Sequence, residues 1–182
     1  MKKILMTGAA GVVGTFLRNE FRGRYHLRLT DMTAIDDCGP DEEFVEADLS
    51  NLEATQNAVT GIECIIHLGG YSVEGDWETL LNSNIIGTYN LFESARIDGV
   101  KRVVFASSNH AIGFYERSQT IDHTDTLRPD TRYGLTKAFG ESLASLYVDK
   151  YSAEVMSIRI GNVAEKPIDV RRLSIWISPR DL

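Results

Sequence analysis

Cysteine is scarce in this sequence. The chain contains only Cys38, in a polar stretch, and Cys64, inside a short apolar run. Two such positions provide neither a disulfide framework nor a metal site. We therefore expect no bound metal, and we interpret Cys64 as a small buried hydrophobic residue.

Long apolar runs and an excess of positive charge are also missing. No run reaches the roughly 18 residues that a transmembrane helix needs, and Met1-Lys2-Lys3 leads directly into a short predicted strand instead of the apolar core of a signal peptide. The 19 lysines and arginines are outnumbered by 26 aspartates and glutamates. We expect a cytoplasmic globular protein of one domain's size that binds neither nucleic acid nor membranes.

The most informative stretch lies at the N-terminus, where a short apolar run precedes Gly8, Gly11 and Gly14. In a strand–turn–helix unit, three glycines at this spacing allow a sharp turn, a close approach to a pyrophosphate and tight packing of the helix on the sheet. We predict that the helix N-terminus, including Val12 and Val13, binds the pyrophosphate of a dinucleotide. Taken alone, the motif is also compatible with a glycine-rich turn that binds nothing.

An acidic residue follows the second predicted strand. Asp31 ends an alternating stretch from Tyr25 to Thr30, near the position where such folds bind the adenosine ribose through a carboxylate. A 2′-phosphate would be repelled there, and residues 32–34 contain no arginine or lysine. We therefore predict NAD rather than NADP as the cofactor. For Asp31 taken alone, the alternative is an exposed loop acid.

Short predicted strands alternate with predicted helices along the chain. The strands cover residues 4–6, 25–30, 43–47, 64–67 and 102–106, and the helices cover residues 12–21, 51–59 with Ser50 as N-cap, 77–97 and 133–151. This alternation predicts an α/β fold, a doubly wound parallel sheet of Rossmann type in the strand order 3-2-1-4-5-6. We assign residues 1–160 to a NAD-binding domain and residues 161–182 to the start of a substrate-binding portion.

Tyr133 and Lys137 are the catalytic candidates because they share one face of a predicted helix. Tyrosine, with an ordinary pKa of about 10, is a poor base at neutral pH, and a cation held beside it favours the phenolate. Tyr-x-x-x-Lys also occurs by chance on exposed helices. Its combination with Ser108, after the fifth strand, and with the glycine turn favours a catalytic site.

Together these motifs resemble the extended short-chain dehydrogenases/reductases, the family of NAD-dependent epimerases and dehydratases. The residues that carry the resemblance are Thr7-Gly8-x-x-Gly11-x-x-Gly14, Asp31, Asp48-Leu49, Ser108 and Tyr133-x-x-x-Lys137. Within the family, the chain is most similar to the uronate dehydrogenases. That similarity extends over essentially the whole chain and is carried by His67-Leu68-Gly69-Gly70, Ser72-Val73-Glu74, Asn84-Ile85-Ile86-Gly87, the stretch 105–110 and Arg171-x-Leu173-Ser174-x-Trp176.

The resemblance implies roles for individual residues. Ser108 would bond the reacting oxygen, Tyr133 would be the general base, and Lys137 would tune Tyr133 and bind the nicotinamide ribose. Further cofactor contacts are implied for Asp48, Leu49, Leu68, Gly69, Gly70 and Asn84. Substrate contacts are implied for Ser72, Asn109, His110, Asn162 and Arg171, whose planar guanidinium would bind a carboxylate.

The reaction implied by the resemblance is the oxidation of a hexuronate, galacturonate or glucuronate, at C1 to the aldarolactone. Alternatives within the family are a nucleotide-sugar epimerase or dehydratase and an aldose 1-dehydrogenase. An alternative of another class is a non-catalytic NAD-binding protein, which the shortness of the chain favours, since its C-terminal substrate portion is expected to be incomplete. The resemblance also implies a homo-oligomer that pairs through the helices near residues 83–98 and 133–151.

Overall fold

A computed structural model describes all 182 residues. Six strands form one parallel sheet in the order β3-β2-β1-β4-β5-β6. The strands are β1 (Lys3–Thr7), β2 (His26–Asp31), β3 (Glu42–Glu46), β4 (Cys64–His67), β5 (Arg102–Ser108) and β6 (Glu154–Ile160). The predicted fold class and strand order are therefore confirmed, and the sixth strand, to which the sequence pattern assigned no residues, is β6.

The helices lie between the strands in the chain. They are α1 (Val12–Phe21), α2 (Leu52–Val59), α3 (Trp77–Leu80), α4 (Gly87–Asp98) and α5 (Arg132–Tyr151). The predicted N-cap of α2 is wrong, because Asn51 accepts the hydrogen bond from the Ala54 N–H at 3.1 Å. Ser50 lies one residue too early, where its own N–H donates to Asp48 Oδ1 in the preceding turn.

The helix predicted over residues 77–97 is interrupted. A π-helical turn, Leu81–Ile86, separates α3 from α4. Within this turn Asn84 is almost fully buried and exchanges two hydrogen bonds with the backbone of Tyr71. The helical periodicity is correct over the segment, and the π-helical turn coincides with this contact between Asn84 and the loop after β4.

The sheet separates two apolar cores of different size. Fourteen buried residues pack between the sheet and α2, α4 and α5, whereas six form the core on the α1 side. Side chains alternate between them: Leu5 of β1 belongs to the larger core, and Ile4 and Met6 belong to the smaller one. Because both faces of β1 are buried, its carboxyl end is held in one place.

Residues after β6 form a small separate sheet. β7 (Asn162–Val163) pairs with β8 (Trp176–Ile177), and the Trp176 indole N–H donates to the Ala164 carbonyl at 2.7 Å. A 3₁₀ turn, Arg172–Ile175, precedes β8. The division of the chain at residue 160 coincides with the end of the large sheet and stays a prediction. No helix combines the length and the apolar character needed to cross a membrane.

Candidate active site

Two adjoining cavities lie at the carboxyl edge of the sheet. The glycine cavity, of 490 Å³, is lined by the Gly8–Gly14 turn, the ends of β2 and β4, and the turn after β3. The tyrosine cavity, of 500 Å³, is lined by the end of β5, the start of α5 and residues 160–163. Both cavities share a wall formed by Val12, Val13, Leu68, Gly70 and Ser72. A ligand that extends along this wall would contact both.

The glycine cavity exists because backbone segments approach closely. Gly8 has φ +67°, and a Cβ on it would lie 2.7 Å from the Gly69 nitrogen at the end of β4. A Cβ on Gly14 would overlap the Gly8 carbonyl oxygen. The turn after β1, the turn after β4 and the start of α1 therefore meet without room for side chains.

The N-terminus of α1 fits the phosphates of a dinucleotide. Gly11 is its N-cap, and no side chain bonds the first helical N–H groups. Val12, the first helical residue, is 66% exposed and lines the cavity. Unpaired N–H groups at the positive end of a helix bind anions. The cradle present here thus suits the predicted pyrophosphate.

Asp31 also contributes to the shape of the glycine cavity. Its Oδ2 accepts from the Ala10 N–H at 3.0 Å, and its Oδ1 accepts from the Thr33 N–H at 3.1 Å. Nothing in the sequence pattern predicts this brace between β2 and the glycine turn. Each carboxylate oxygen has a second acceptor position, so Asp31 can still accept from ribose hydroxyls.

Two asparagines on the interrupted helix shape the site from behind its walls. Asn90 Nδ2 donates to the carbonyls of Leu49 and Ser50 at 2.9 and 3.0 Å, which holds Asp48 and Leu49 in the cavity wall. Asn84, predicted to contact the cofactor, lines neither cavity. Asn84 Nδ2 donates instead to Thr136 Oγ1 of α5 at 2.9 Å. The feature of the sequence that could have identified Asn90 as a supporting residue is its amide side chain at a buried position of the predicted helix.

A fully buried histidine links the strand ends. The His67 ring nitrogens lie 2.8 Å from Thr7 Oγ1 and 3.2 Å from Thr88 Oγ1, and Thr7 Oγ1 also accepts from the Gly69 N–H. Burial, with a smaller contribution from the nearby Lys137 charge, lowers the pKa of His67 to about 3. His67 is therefore neutral at physiological pH and holds the turn after β4 against β1.

Tyr133 and Lys137 lie one turn apart on α5 and face the tyrosine cavity. Lys137 Nζ donates to the Ala106 carbonyl at 2.9 Å and lies 5.6 Å from the centre of the Tyr133 ring. Burial lowers the pKa of Lys137 to about 8. Burial also raises the pKa of Tyr133, and a hydrogen bond with Ser108 opposes that shift in part. This direction is opposite to the one predicted for a tyrosine beside a lysine charge, because desolvation of the phenol dominates.

Ser108 ends β5 and is almost fully buried beside the same cavity. Its Oγ accepts from the His110 N–H at 3.2 Å and so caps the 3₁₀ turn Asn109–Ile112. A Cβ on Gly134 of α5 would overlap the His110 carbonyl. This close approach brings the rings of His110 and Tyr133 to 5.9 Å in an edge-to-face arrangement.

Glu74 connects the shared wall to the catalytic helix. Its two carboxylate oxygens accept from the Tyr133 N–H and the Arg132 Nε, both at 2.9 Å. These donors hold the pKa of Glu74 below its usual range. Since Ser72 lies two residues before Glu74 and lines both cavities, this contact fixes the segment that carries Ser72. The sequence pattern alone predicts no such role for Glu74.

The remaining substrate candidates differ in position. Asn162 lines the tyrosine cavity, and its buried Oδ1 has no hydrogen-bond partner. Arg171 is exposed and lines neither cavity, whereas Arg172 does line the tyrosine cavity. Arg172 Nε lies 3.7 Å from Asp169 Oδ2. Neighbours in a 3₁₀ turn point about 120° apart, so the structure does not bring Arg171 together with the other candidates.

The fold and the site define the class of protein: a Rossmann-type dinucleotide-binding protein with a serine, a tyrosine and a lysine converging beside the dinucleotide cavity. The sequence pattern of the NAD dependent epimerase/dehydratase family matches residues 4–167, and the chain belongs to this family. The match confirms the resemblance found in the sequence and NAD as the predicted cofactor.

Several proteins that are similar to this chain are uronate dehydrogenases. The uronate dehydrogenase of Pseudomonas syringae pv. tomato is 46% identical over 182 residues, which are 99% of this chain and 66% of that protein. The crystal structure of a glucuronic acid dehydrogenase from Chromohalobacter salexigens has a TM-score of 0.95 and 46% identity, with 98% of this chain and 68% of the other covered. A mutant uronate dehydrogenase from Agrobacterium tumefaciens complexed with NAD has a TM-score of 0.94 and 45% identity, with the same coverage. The chain thus spans about two thirds of the length of these relatives.

Proposed function

We propose that this chain carries the cofactor-binding and catalytic part of a uronate dehydrogenase. The reaction is the oxidation of a cyclic hexuronate, galacturonate or glucuronate, at C1 to the aldarolactone, with NAD as the hydride acceptor. The observation that carries the proposal is the convergence of Ser108, Tyr133 and Lys137 on a cavity that shares a wall with the glycine cavity. The relatives named above support this choice among the reactions of the family.

In the proposed mechanism, Ser108 Oγ hydrogen-bonds the oxygen on C1 of the sugar. The Tyr133 phenolate takes the proton of the C1 hydroxyl while C1 loses its hydrogen as hydride, so that the C1–O bond becomes the lactone carbonyl. NAD, when bound, supplies the hydride acceptor and a positively charged ring. Lys137 stays fixed by its bond to the Ala106 carbonyl and favours the phenolate electrostatically.

The pKa directions support this pairing of roles. Burial raises the pKa of Tyr133, so the phenol needs a nearby positive charge before it can act as a base. Burial lowers the pKa of Lys137 to about 8, which leaves the amine mostly charged at neutral pH. The buried lysine therefore provides a charge in a place where solvent screens it little.

Polar residues around the tyrosine cavity are the proposed substrate contacts: Ser72, Asn109, His110 and Asn162. We assign the substrate carboxylate to Arg171, because its guanidinium has no protein partner whereas that of Arg172 faces Asp169. Arg171 lies outside the cavity, so this assignment requires the exposed turn at residues 172–175 to rotate when the substrate binds. In this proposal, residues 161–182 begin the substrate-binding portion.

The experiment that tests the function is an assay of NADH formation by this 182-residue chain. The panel contains galacturonate, glucuronate, galactose, L-arabinose and a nucleotide sugar, each with NAD and with NADP. Turnover confined to the uronates, with NAD preferred, is the expected result. Turnover of neutral aldoses alone would contradict a uronate dehydrogenase and favour an aldose dehydrogenase. NAD binding without turnover of any sugar would favour the non-catalytic alternative.

We also propose a homo-oligomer that pairs through the helices near residues 83–98 and 133–151. Exposed apolar side chains on α4 and α5 support it, including Tyr89 at 48% and Leu146 at 49% exposure. Light scattering on the chain and on Leu146→Glu should show a larger mass for the unmodified chain.

The cytoplasm is the proposed location, which both free cysteines, Cys38 and Cys64, support.

A further inference from the structure

His110 forms a close pair with an acidic residue that has no role so far. His110 Nδ1 lies 2.8 Å from Asp130 Oδ1. His110 belongs to the 3₁₀ turn after β5, and Asp130 lies immediately before Thr131, the N-cap of α5. The pair therefore joins the two segments that carry Ser108 and Tyr133.

The surrounding backbone leaves this pair little freedom. The Asp130 N–H donates to the His110 carbonyl at 3.3 Å, and the Arg128 N–H donates to the Ala111 carbonyl at 3.0 Å. A Cβ on Gly113 would overlap the Asp130 carboxylate. The carboxylate is thus packed against backbone and faces His110 in a fixed geometry.

This geometry determines which ring nitrogen carries the proton. An ionised carboxylate only accepts hydrogen bonds, so Nδ1 must be the protonated nitrogen of His110. In a neutral imidazole Nε2 is then an acceptor. Because the ring lines the tyrosine cavity and Tyr133 packs against it edge to face, a hydroxyl of a bound sugar is the donor class that suits Nε2.

We propose that Asp130 is a positioning residue that holds His110 with its proton on Nδ1, so that Nε2 accepts a hydrogen bond from a ring hydroxyl of the sugar substrate. The inference rests on the proposed function for the identity of the sugar. The His110 side chain is 42% exposed in this structure, and a bound sugar would cover its Nε2. An analogue that covers Nε2 without offering a hydroxyl would leave this acceptor unpaired and would bind less well. Asp130 would thereby contribute to sugar selectivity without contacting the sugar.

The first test reads the proton position directly and needs no turnover. The chain has four histidines, so nitrogen NMR of protein labelled at histidine gives few signals, and those of His110 are identified by their loss in His110→Gln. Above neutral pH we expect a protonated Nδ1 and an unprotonated Nε2. Addition of galacturonate should shift the Nε2 resonance. A proton on Nε2, or an Nε2 signal that saturating galacturonate leaves unmoved, would overturn the proposal.

The second test separates positioning from general damage to the fold. Asp130→Ala should raise KM for galacturonate about tenfold, with kcat and the affinity for NAD nearly unchanged. Asp130→Asn keeps a carbonyl acceptor and should recover most of the loss. The matched control is Asp41→Ala, because His26 Nδ1 and Asp41 Oδ1 form a second pair, at 3.3 Å, away from both cavities. Equal KM values for Asp130→Ala and Asp41→Ala would contradict the positioning role. If Asp130→Ala does not fold, Asp130→Ser replaces it, and Asp130→Asn should then keep the proton on Nδ1 and have a lower KM for galacturonate than Asp130→Ser.

If no uronate is turned over but the Nδ1 proton and the galacturonate-dependent shift are both present, the proposed reaction fails and the role of Asp130 stands. If uronates are turned over while the proton lies on Nε2, the role of Asp130 fails and the proposed function stands. The proposed reaction and the proposed role of Asp130 can therefore be refuted independently of each other.

Discussion

The walls of the glycine cavity and of the tyrosine cavity consist of different parts of the chain. The glycine cavity consists mainly of backbone, with Gly8, Gly14 and Gly69 in positions where a side chain would collide. The tyrosine cavity consists of side chains from β5, α5 and β7, and its central amine, on Lys137, is buried. A backbone cradle suits a ligand that many proteins share, whereas the converging side chains are the proposed determinants of the reaction and the substrate.

The two cavities also differ in how their charged residues affect the stability of the fold. In the glycine cavity Asp31 bonds two backbone N–H groups, which adds to the stability of the turn. In the tyrosine cavity the charged form of Lys137 is disfavoured by burial, which lowers its pKa from 10.5 to about 8. The tyrosine cavity therefore holds a charge at a cost in stability, as is common at active sites.

The largest expected effect separates chemistry from cofactor binding. Tyr133→Phe should reduce kcat for a uronate by about 10²–10⁴-fold, because it removes the proton acceptor and little else. The affinity for NAD, measured by equilibrium titration, should stay nearly the same, since the glycine cavity is untouched. Substantial remaining turnover would show that another group takes the proton.

The next effect concerns the substrate carboxylate. Arg171→Ala should lower kcat/KM for galacturonate about thirtyfold or more but leave galactose nearly unaffected, because a bidentate pair with a carboxylate is lost. Arg171→Lys should recover little, since an ammonium cannot form the same fork. Arg172→Ala is the informative comparison because Arg172 lines the cavity. If kcat/KM for galacturonate falls more selectively in Arg172→Ala than in Arg171→Ala, the substrate carboxylate is bound by Arg172 and not by Arg171.

A smaller effect is expected in the glycine cavity. Asp31→Ala should weaken NAD binding about tenfold and narrow its margin over NADP, because ribose hydrogen bonds and repulsion of a 2′-phosphate disappear together. Asp31→Asn keeps an oxygen acceptor for the Ala10 or Thr33 N–H and loses the charge. An NAD-to-NADP affinity ratio that neither variant changes would contradict the ribose role.

The smallest predicted effect is on stability. Unfolding restores the ordinary pKa of Lys137, so the penalty for its charge is complete below about pH 8 and disappears as the pH rises towards 10.5. Lys137→Met should raise the free energy of unfolding by about 1 kcal/mol at neutral pH, after the lost bond to Ala106 is counted. Urea titrations should show this gain shrinking at alkaline pH.

Lys150→Met is the control for the stability experiment, because Lys150 is exposed on the same helix. Its effect should stay within about 0.5 kcal/mol at every pH. A gain for Lys137→Met that did not depend on pH, or that matched Lys150→Met, would mean that burial of the Lys137 charge does not limit stability.

Local spacing was sufficient for the sheet order and for the glycine turn. The alternation of short apolar strands with helices leaves few right-handed parallel arrangements, and the positions of Gly8, Gly11 and Gly14 correspond to one turn geometry. The same holds for Tyr133 and Lys137, which share a helix face because of their separation in sequence alone. For these features, neighbours along the chain are also neighbours in space.

Where sequence reasoning fell short, the cause lies in contacts between distant segments. Asn84, within the π-helical turn from Leu81 to Ile86, bonds Tyr71 and Thr136, and Asn90 supports the Leu49 wall from another element. The sheet brings the ends of its strands to one edge, so residues far apart in the chain become partners there. No local pattern marks such a partner in advance.

The amino-acid sequence by itself thus determined the fold class, the cofactor and the residues proposed for catalysis, because these depend on periodicity, glycine spacing and residue chemistry. Only the tertiary structure decided how those residues are supported: Glu74 bonded to the start of α5, Asp130 facing His110, and Arg172 rather than Arg171 lining the cavity. Side-chain direction in loops and short turns depends on packing between elements, and that packing is set only when the whole chain has folded.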